Sequence, residues 1–133
     1  MSVKIKEMFG EKPNGSDEMG KMINDFHTER MERLINTSGG KIVVGGKVKK
    51  DIKFCEPTVI LEPKKDSELM TDEIFGPIMP VYPFKDVSEV MKMIKGFDKP
   101  LSVYYFGKPG TPCMMRLQNE TSSGCFMTND VVT

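Results

Sequence analysis

The chain has 133 residues, a normal length for one domain with a hydrophobic core. Its 19 basic and 19 acidic residues cancel, so its charge gives no reason to expect nucleic acid or an acidic membrane as partner. No apolar run approaches the roughly 20 residues of a membrane-spanning helix, and the first residues lack the apolar core of a signal peptide. Three cysteines without a secretion signal disfavour a disulfide framework, so we expect a cytoplasmic location.

Two helices and two strands are predicted in the first half of the chain. An apolar face over residues 3–9 predicts the first helix. The second helix is predicted to begin at Asn24 or Asp25. Its apolar face is expected to contain Ile23, Phe26, Met31, Leu34 and Ile35. Short strands follow over residues 41–44 and 54–61, the second of them with a β-branched centre.

The second half begins with a strand, a helix and a strand. Residues 78–84 are predicted to be extended because two prolines forbid a continuing helix. Asp86 is predicted to cap a helix whose apolar stripe is Val87, Val90, Met91 and Ile94. The apolar run over residues 101–106 is typical of a strand covered on both faces. These three elements are expected to form a right-handed βαβ unit with parallel strands.

A short helix over residues 113–119 and a strand over residues 125–129 complete the pattern. Thr111 and Pro112 before that helix are a good N-cap and first helical residue. The predicted fold class is therefore α/β, a parallel sheet with flanking helices built from βαβ units.

The most informative stretch of the sequence is LMTDEIFGPIMPVYPF, residues 69–84. Glu73 and Phe75 lie two residues apart at a sharp bend that Gly76 and Pro77 create. A carboxylate can accept hydrogen bonds from two neighbouring hydroxyls, such as those of a ribose, and a ring beside it can pack on a flat heterocycle. Gly76 has no Cβ and would let the backbone approach a ligand. The alternative is that Glu73 is a solvated loop acid and Phe75 a core residue.

The segment EIFGP, followed by KPLSVYYF and by SSG with a later ND, resembles the aldehyde dehydrogenase superfamily. Further similar segments occur in the family's order over nearly the whole chain: KIKEMFGE, GKMINDFHTERMERLI and FCEPTVILEP. They are most similar to the class 3 and fatty-aldehyde branch. The resemblance implies that residues 1–133 are the later part of an aldehyde dehydrogenase catalytic domain.

This resemblance implies an NAD- or NADP-dependent oxidation of an aldehyde to a carboxylic acid. In the family the matching Glu holds the nicotinamide ribose and the matching Phe packs near the nicotinamide ring, roles that carry over to Glu73 and Phe75. The family's Gly-Gln-x-Cys nucleophile segment, its E-L-G-G general-base segment and its nucleotide-binding domain do not occur among these 133 residues. No catalytic residue is therefore assigned, and the chain by itself is expected to be inactive.

An alternative function is a truncated, non-catalytic relative that acts by binding. A parallel sheet separated from its neighbours exposes apolar area and a strand edge. Such a surface predicts a homo-oligomer or pairing with a full-length relative.

The remaining chemistry-bearing residues fit structural roles better than catalytic ones. Among the three cysteines, Cys113 is the best candidate for a replacement nucleophile, because a helix amino terminus lowers the pKa of a thiol. Packing is nevertheless the favoured interpretation for Cys55, Cys113 and Cys125. One His and three scattered Cys lack metal-ligand spacing, so no metal site is predicted. Asn129 and Asp130 match the family's N-D-V segment. They are expected either to shape the substrate end or, for Asn129, to satisfy backbone groups at a strand end.

Overall fold

The computed structural model describes residues 2–16 and 18–131, which form two compact units divided between Pro83 and Phe84. The first unit contains a three-stranded and a two-stranded sheet, and the second contains a two-stranded sheet. Within the described ranges, no helix combines the length and the apolar character needed to cross a membrane.

The first unit is built from three helices, a short 3-10 turn and five strands. In chain order they are α1 (Ser2–Phe9), the 3-10 turn (Pro13–Gly15), α2 (Asp25–Thr37), β1 (Lys41–Val44), β2 (Val48–Lys49), β3 (Phe54–Cys55), β4 (Thr58–Leu61), α3 (Glu68–Thr71) and β5 (Ile78–Val81). The α2 helix starts where the sequence predicts, because the Asn24 side chain caps it by accepting a 2.9 Å hydrogen bond from the His27 amide.

The strand predicted over residues 54–61 is two strands separated by Glu56 and Pro57. Proline has no amide hydrogen to donate, so a continuous ladder through this position is disfavoured. The β3 strand pairs with β2 in an antiparallel hairpin, and β4 joins the main sheet of the unit.

The main sheet has the strand order β1-β4-β5, with β4 at its centre. The β4 and β5 strands are parallel, with Thr58 opposite Ile78 and Leu61 opposite Val81. The β1 strand runs antiparallel to β4, because the intervening chain is the β2–β3 hairpin and returns straight into β4. The sheet is therefore mixed, with the predicted parallel pairing confined to the β4–β5 side.

One face of α2 covers the core of the first unit. The buried cluster consists of Met31, Leu34, Ile35, Cys55, Ile60, Leu69 and Ile78. The prediction that Ile23 and Phe26 share this face is wrong: both are largely exposed. At about 100° per residue, Phe26 lies about half a turn around the helix from Ile35. Thr28 occupies the buried position instead, with its hydroxyl donating to the Asn24 carbonyl at 2.8 Å.

The second unit contains α4 (Val87–Lys95), β6 (Ser102–Tyr105), α5 (Pro112–Glu120) and β7 (Cys125–Thr128). Both helices are capped as predicted: Asp86 Oδ1 accepts from the Ser88 amide at 2.7 Å, and Thr111 Oγ1 accepts from the Met114 amide at 3.3 Å. The hydrogen bonds from Ser88 lower the pKa of the Asp86 carboxyl.

The two βαβ units differ from the one predicted across α4. The β6 strand pairs in parallel with β7 through α5, and β5 pairs in parallel with β4 through α3. Parallel strands joined by helical connections are therefore confirmed as the fold class. The β5 strand belongs to the sheet of the first unit and β6 to the sheet of the second, so the βαβ unit predicted across α4 stays a prediction.

Asn129 closes the end of the β6–β7 pair. It has a left-handed backbone, with φ of 55°, which asparagine tolerates better than most residues. Its side chain accepts from the Gly107 amide at 2.8 Å and donates to the Gly107 carbonyl at 2.9 Å. These bonds agree with the interpretation that Asn129 satisfies backbone groups at a strand end. The neighbouring Asp130 is exposed and accepts a hydrogen bond from the amide of the next residue, Val131.

Candidate functional site

Glu73 and Phe75 lie in the connection between α3 and β5, and both side chains face solvent. Phe75 is 73% exposed and is therefore not a core residue, whereas the exposed Glu73 also agrees with the alternative of a solvated loop acid. Within residues 2–16 and 18–131, no donor lies within hydrogen-bond distance of the Glu73 carboxylate. Both groups are therefore accessible to a ligand.

Arg30 of α2 binds the backbone of this bend. Arg30 Nη2 donates to the Glu73 carbonyl at 2.8 Å, and Nη1 donates to the Ile74 carbonyl at 2.7 Å. A planar guanidinium can make both bonds at once because its donors form a rigid fork. The side chains of Glu73 and Phe75 are thus displayed on a segment whose carbonyls are already engaged.

Met31, the next residue of α2, packs against the bend at Gly76. Met31 is fully buried, and a Cβ added to Gly76 would overlap its sulfur atom. From the sequence, the missing Cβ of Gly76 is expected to admit a ligand; in the structure it permits close packing on Met31. Beyond Gly76, the Pro77 carbonyl accepts from the Thr58 amide at 2.8 Å and leads the chain into the sheet.

A carboxylate–guanidinium pair ties α3 to α2 just ahead of the bend. Arg33 donates to both oxygens of Glu68, from Nε at 3.0 Å and from Nη2 at 2.8 Å. These hydrogen bonds lower the pKa of the Glu68 carboxyl and raise that of Arg33. Arg30 Nε lies 4.0 Å from the same carboxylate. Glu68 thus stays ionised beside both arginines.

Two clefts of the first unit lie away from Glu73 and Phe75. One, of about 260 Å³, is lined by residues of α1 and by Val43, Val44, Glu56 and Pro57. The other, of about 320 Å³, is almost entirely apolar and is lined by residues that include Ile5, Met8, Val59 and Met79. The bend is therefore a surface segment that lines neither of these two clefts.

Cys55 is a packing residue, as the sequence analysis favours. It belongs to the buried cluster, and burial raises the pKa of its thiol to about 11. A thiol in that state supplies almost no thiolate near neutral pH. Cys113 near the start of α5 and Cys125 at the start of β7 are only partly buried.

Arg30 is the residue of this site that sequence reasoning missed. It precedes Glu73 by 43 residues and lies off the apolar stripe of α2, where a charged residue is usually a solvated one. Its position next to the buried Met31 is the only local signal, and that signal does not identify the partner.

Comparisons with known proteins agree on one family. The model of the aldehyde dehydrogenase family matches residues 3–133. The chain is 38% identical over 130 residues to aldehyde dehydrogenase family 3 member F1 of Arabidopsis thaliana, covering 96% of this chain and 27% of that protein. It is 33% identical over 128 residues to the dimeric NADP-preferring aldehyde dehydrogenase of Mus musculus, covering 96% of this chain and 28% of that protein.

A solved structure of Staphylococcus aureus AldH in its substrate-bound state is also similar. The TM-score is 0.88 at 32% identity, over 98% of this chain and 28% of that one. The chain thus spans little more than a quarter of the length of these relatives.

Substituting Gly76→Ala tests the packing of the bend on Met31. The added methyl overlaps the Met31 sulfur, so we expect the free energy of unfolding to fall by about 1–3 kcal/mol. In a Met31→Ala background the methyl has space, and the same substitution should cost much less. Urea unfolding followed by circular dichroism measures both values.

Gly20→Ala is the matched control, since nothing lies within 4 Å of a Cβ placed there and its backbone is not left-handed. It should change stability by no more than about 0.5 kcal/mol. Equal effects of Gly76→Ala in the two Met31 backgrounds would show that the bend does not rest on this side chain.

The raised pKa of Cys55 predicts selective thiol labelling. At pH 8 a thiol with a pKa of about 11 is ionised in about one molecule in a thousand, and it is also buried. We expect Cys113 and Cys125 to react with a disulfide reagent while Cys55 stays unmodified until urea unfolds the chain. Peptide mass spectrometry at timed intervals gives the three rates. Labelling of Cys55 as fast as Cys113 would contradict its assignment as a packing residue.

Proposed function

The chain belongs to the aldehyde dehydrogenase family, and on that premise we propose that it is the later part of the catalytic region of an enzyme that oxidises an aldehyde to a carboxylic acid with NAD or NADP. The family match over residues 3–133 supports the reaction class. The name of the mouse relative, NADP-preferring, supports the cofactor class. A cytoplasmic location stays a prediction of the sequence.

The observation that carries the proposal for this chain's own role is the exposed pair, Glu73 and Phe75, on an anchored bend. The Glu73 carboxylate has two free acceptor oxygens, which suit two adjacent ribose hydroxyls. The Phe75 ring is uncovered, so a flat nicotinamide ring can pack on it. Arg30 and Met31 contact the backbone of the bend and leave these two side chains free. The residues present therefore fit the nicotinamide riboside half of the cofactor.

When bound, the nicotinamide supplies the hydride acceptor of the oxidation. The work of this chain is positional. Glu73 would hold the ribose, and Phe75 would restrict the plane of the ring that the ribose carries. Restricting both reduces the orientational freedom that a hydride transfer otherwise has to lose. Neither side chain takes part in a bond-making step.

The chemical groups of the reaction would come from elsewhere. The family's nucleophilic Cys and general-base Glu lie in segments that do not occur among these 133 residues. Cys55 is protonated and buried, and a thiol in this state is a poor nucleophile. We therefore propose that the 133-residue chain, on its own, positions the nicotinamide without oxidising an aldehyde.

A second candidate is a binding module that pairs with another copy or with a full-length relative. It is favoured by β1 and β5, the edge strands of the three-stranded sheet in the described part of the first unit. Both strands carry exposed apolar side chains: Ile42 and Val43 on β1, and Met79 on β5. Size-exclusion chromatography at increasing concentration tests it. We take ~1 μM as the dissociation constant of a stable dimer. A chain that is still monomeric at a concentration about 100 times higher excludes self-pairing.

The proposed lack of turnover can be measured directly. The chain is incubated with a medium-chain aldehyde and with NAD or NADP, and absorbance of the reduced nicotinamide is followed. We expect the rate to equal that of a variant in which Cys55, Cys113 and Cys125 are all replaced by Ala. Turnover that disappears in this variant would reveal a replacement nucleophile and overturn the proposal.

Replacing Glu73→Gln tests the cofactor role of that carboxylate. Nicotinamide mononucleotide, which carries the ribose and the ring alone, is titrated while the amide NMR signals of residues 73–76 are followed. Because the site is exposed, the loss of charge-assisted hydrogen bonds should cost about 1 kcal/mol, or about fivefold in affinity.

Asp72→Asn is the matched control, an equal charge change at the exposed neighbouring carboxylate. Its affinity should stay within about twofold of the unsubstituted chain. The assignment of Glu73 fails when Glu73→Gln and Asp72→Asn have the same effect.

A further inference from the structure

We propose that Arg30 is a positioning residue for the nicotinamide end of the site, acting by fixing the backbone conformation that presents Glu73 and Phe75. The inference rests on the proposed function for its ligand. Its structural part, the fixing of the bend, rests only on contacts within the first unit.

Two successive carbonyls of the bend are directed at the same side chain. In an extended chain, successive carbonyls point to opposite sides. Here the carbonyls of Glu73 and Ile74 both accept from the one guanidinium of Arg30, at 2.8 and 2.7 Å. The two carbonyls therefore depart from the regular alternation of an extended strand, and both hydrogen bonds require this local backbone conformation.

Phe75 lies in the bend with an unusual backbone conformation. Its φ is +46°, a left-handed value that is unfavourable for a bulky L-residue. Such a conformation persists only when the surroundings impose it. The bonds to Ile74 and Glu73 lie on the amino-terminal side of Phe75, and the packing of Gly76 on Met31 lies on its carboxyl-terminal side. The Phe75 conformation is thus fixed from both sides by two consecutive residues of α2.

Arg30 differs from its neighbour Arg33 in exposure and in partners. The Arg30 side chain is 14% exposed and that of Arg33 is 50% exposed. Arg33 binds both oxygens of Glu68, whereas the two terminal nitrogens of Arg30 bind the two carbonyls of the bend. The two arginines lie on one helix and near one carboxylate, but only Arg30 contacts the bend. Arg33 is therefore a natural control.

A lysine cannot replace Arg30 in this role. Its ammonium is a compact point charge on a flexible stem, whereas the guanidinium presents donors in a fixed plane that matches two acceptors. Arg30→Lys therefore keeps the charge beside Glu68 while it removes the paired hydrogen bonds. The bend would then sample other conformations, and only the fraction in the original one could bind. A competent fraction of about one tenth raises the apparent dissociation constant about tenfold.

The experiment compares Arg30→Lys with Arg33→Lys in the 133-residue chain by two NMR measurements. Backbone ¹⁵N relaxation gives the order parameters of residues 73–76, and titration with nicotinamide mononucleotide gives the affinity. In Arg30→Lys we expect the order parameters to fall from about 0.85 to below about 0.6, with about tenfold weaker binding. Arg33→Lys should change neither. A purely structural role of Arg30 would lower stability without a selective change at these four residues.

Unchanged order parameters at residues 73–76 in a folded Arg30→Lys chain overturn the inference. So does a loosened bend that binds the mononucleotide as tightly as before. If Arg30→Lys does not fold, Arg30→Gln, which keeps one pair of amide hydrogens near the carbonyls, replaces it with the same expectations. A different result marks failure of the proposed function: the unsubstituted chain shows no ligand-induced shift at residues 73–76. The fixing of the bend is then decided by the order parameters alone.

Discussion

Two consecutive residues of one helix support the bend that displays Glu73 and Phe75. Arg30 donates to two successive carbonyls of the bend, and Met31 packs where Gly76 leaves space for its sulfur. The Arg30 contact consists of directional hydrogen bonds, and the Met31 contact is close van der Waals packing. Together they hold Phe75 in a left-handed backbone conformation with its ring in solvent. That backbone conformation is unfavourable for a bulky L-residue, and an exposed apolar ring gains nothing from the hydrophobic effect.

This support works because α2 is itself fixed to the sheet. Met31, Leu34 and Ile35 are buried in a cluster with residues of β4, α3 and β5. The bend is part of the connection between α3 and β5, so its two ends are held by the same core that holds α2. The Arg33–Glu68 pair adds a second link between α2 and α3. Anchored ends and an anchored middle explain how an exposed segment can keep a definite conformation.

These contacts indicate which part of the proposed reaction this chain would serve. The chain offers an acceptor carboxylate and an uncovered ring, the two groups that a ribose and a flat heterocycle require. Cys55 does not offer a comparable case for a nucleophile, because burial raises the pKa of its thiol to about 11. The chain spans little more than a quarter of the length of the relatives it matches.

The sequence by itself determined the local features of this protein. Caps at Asn24, Asp86 and Thr111 follow from residue types, because each depends on atoms within a few positions along the chain. The same holds for the family motif around Glu73 and Phe75. The break at Pro57 was not predicted, although a proline inside a strand pattern is a local signal for it. Only the tertiary structure decided which strands pair, that Phe26 faces solvent, and that Arg30 reaches across 43 residues to the bend. Those outcomes depend on contacts between distant segments, and a pattern read along one chain carries no information about which distant backbone carbonyl a given side chain will meet.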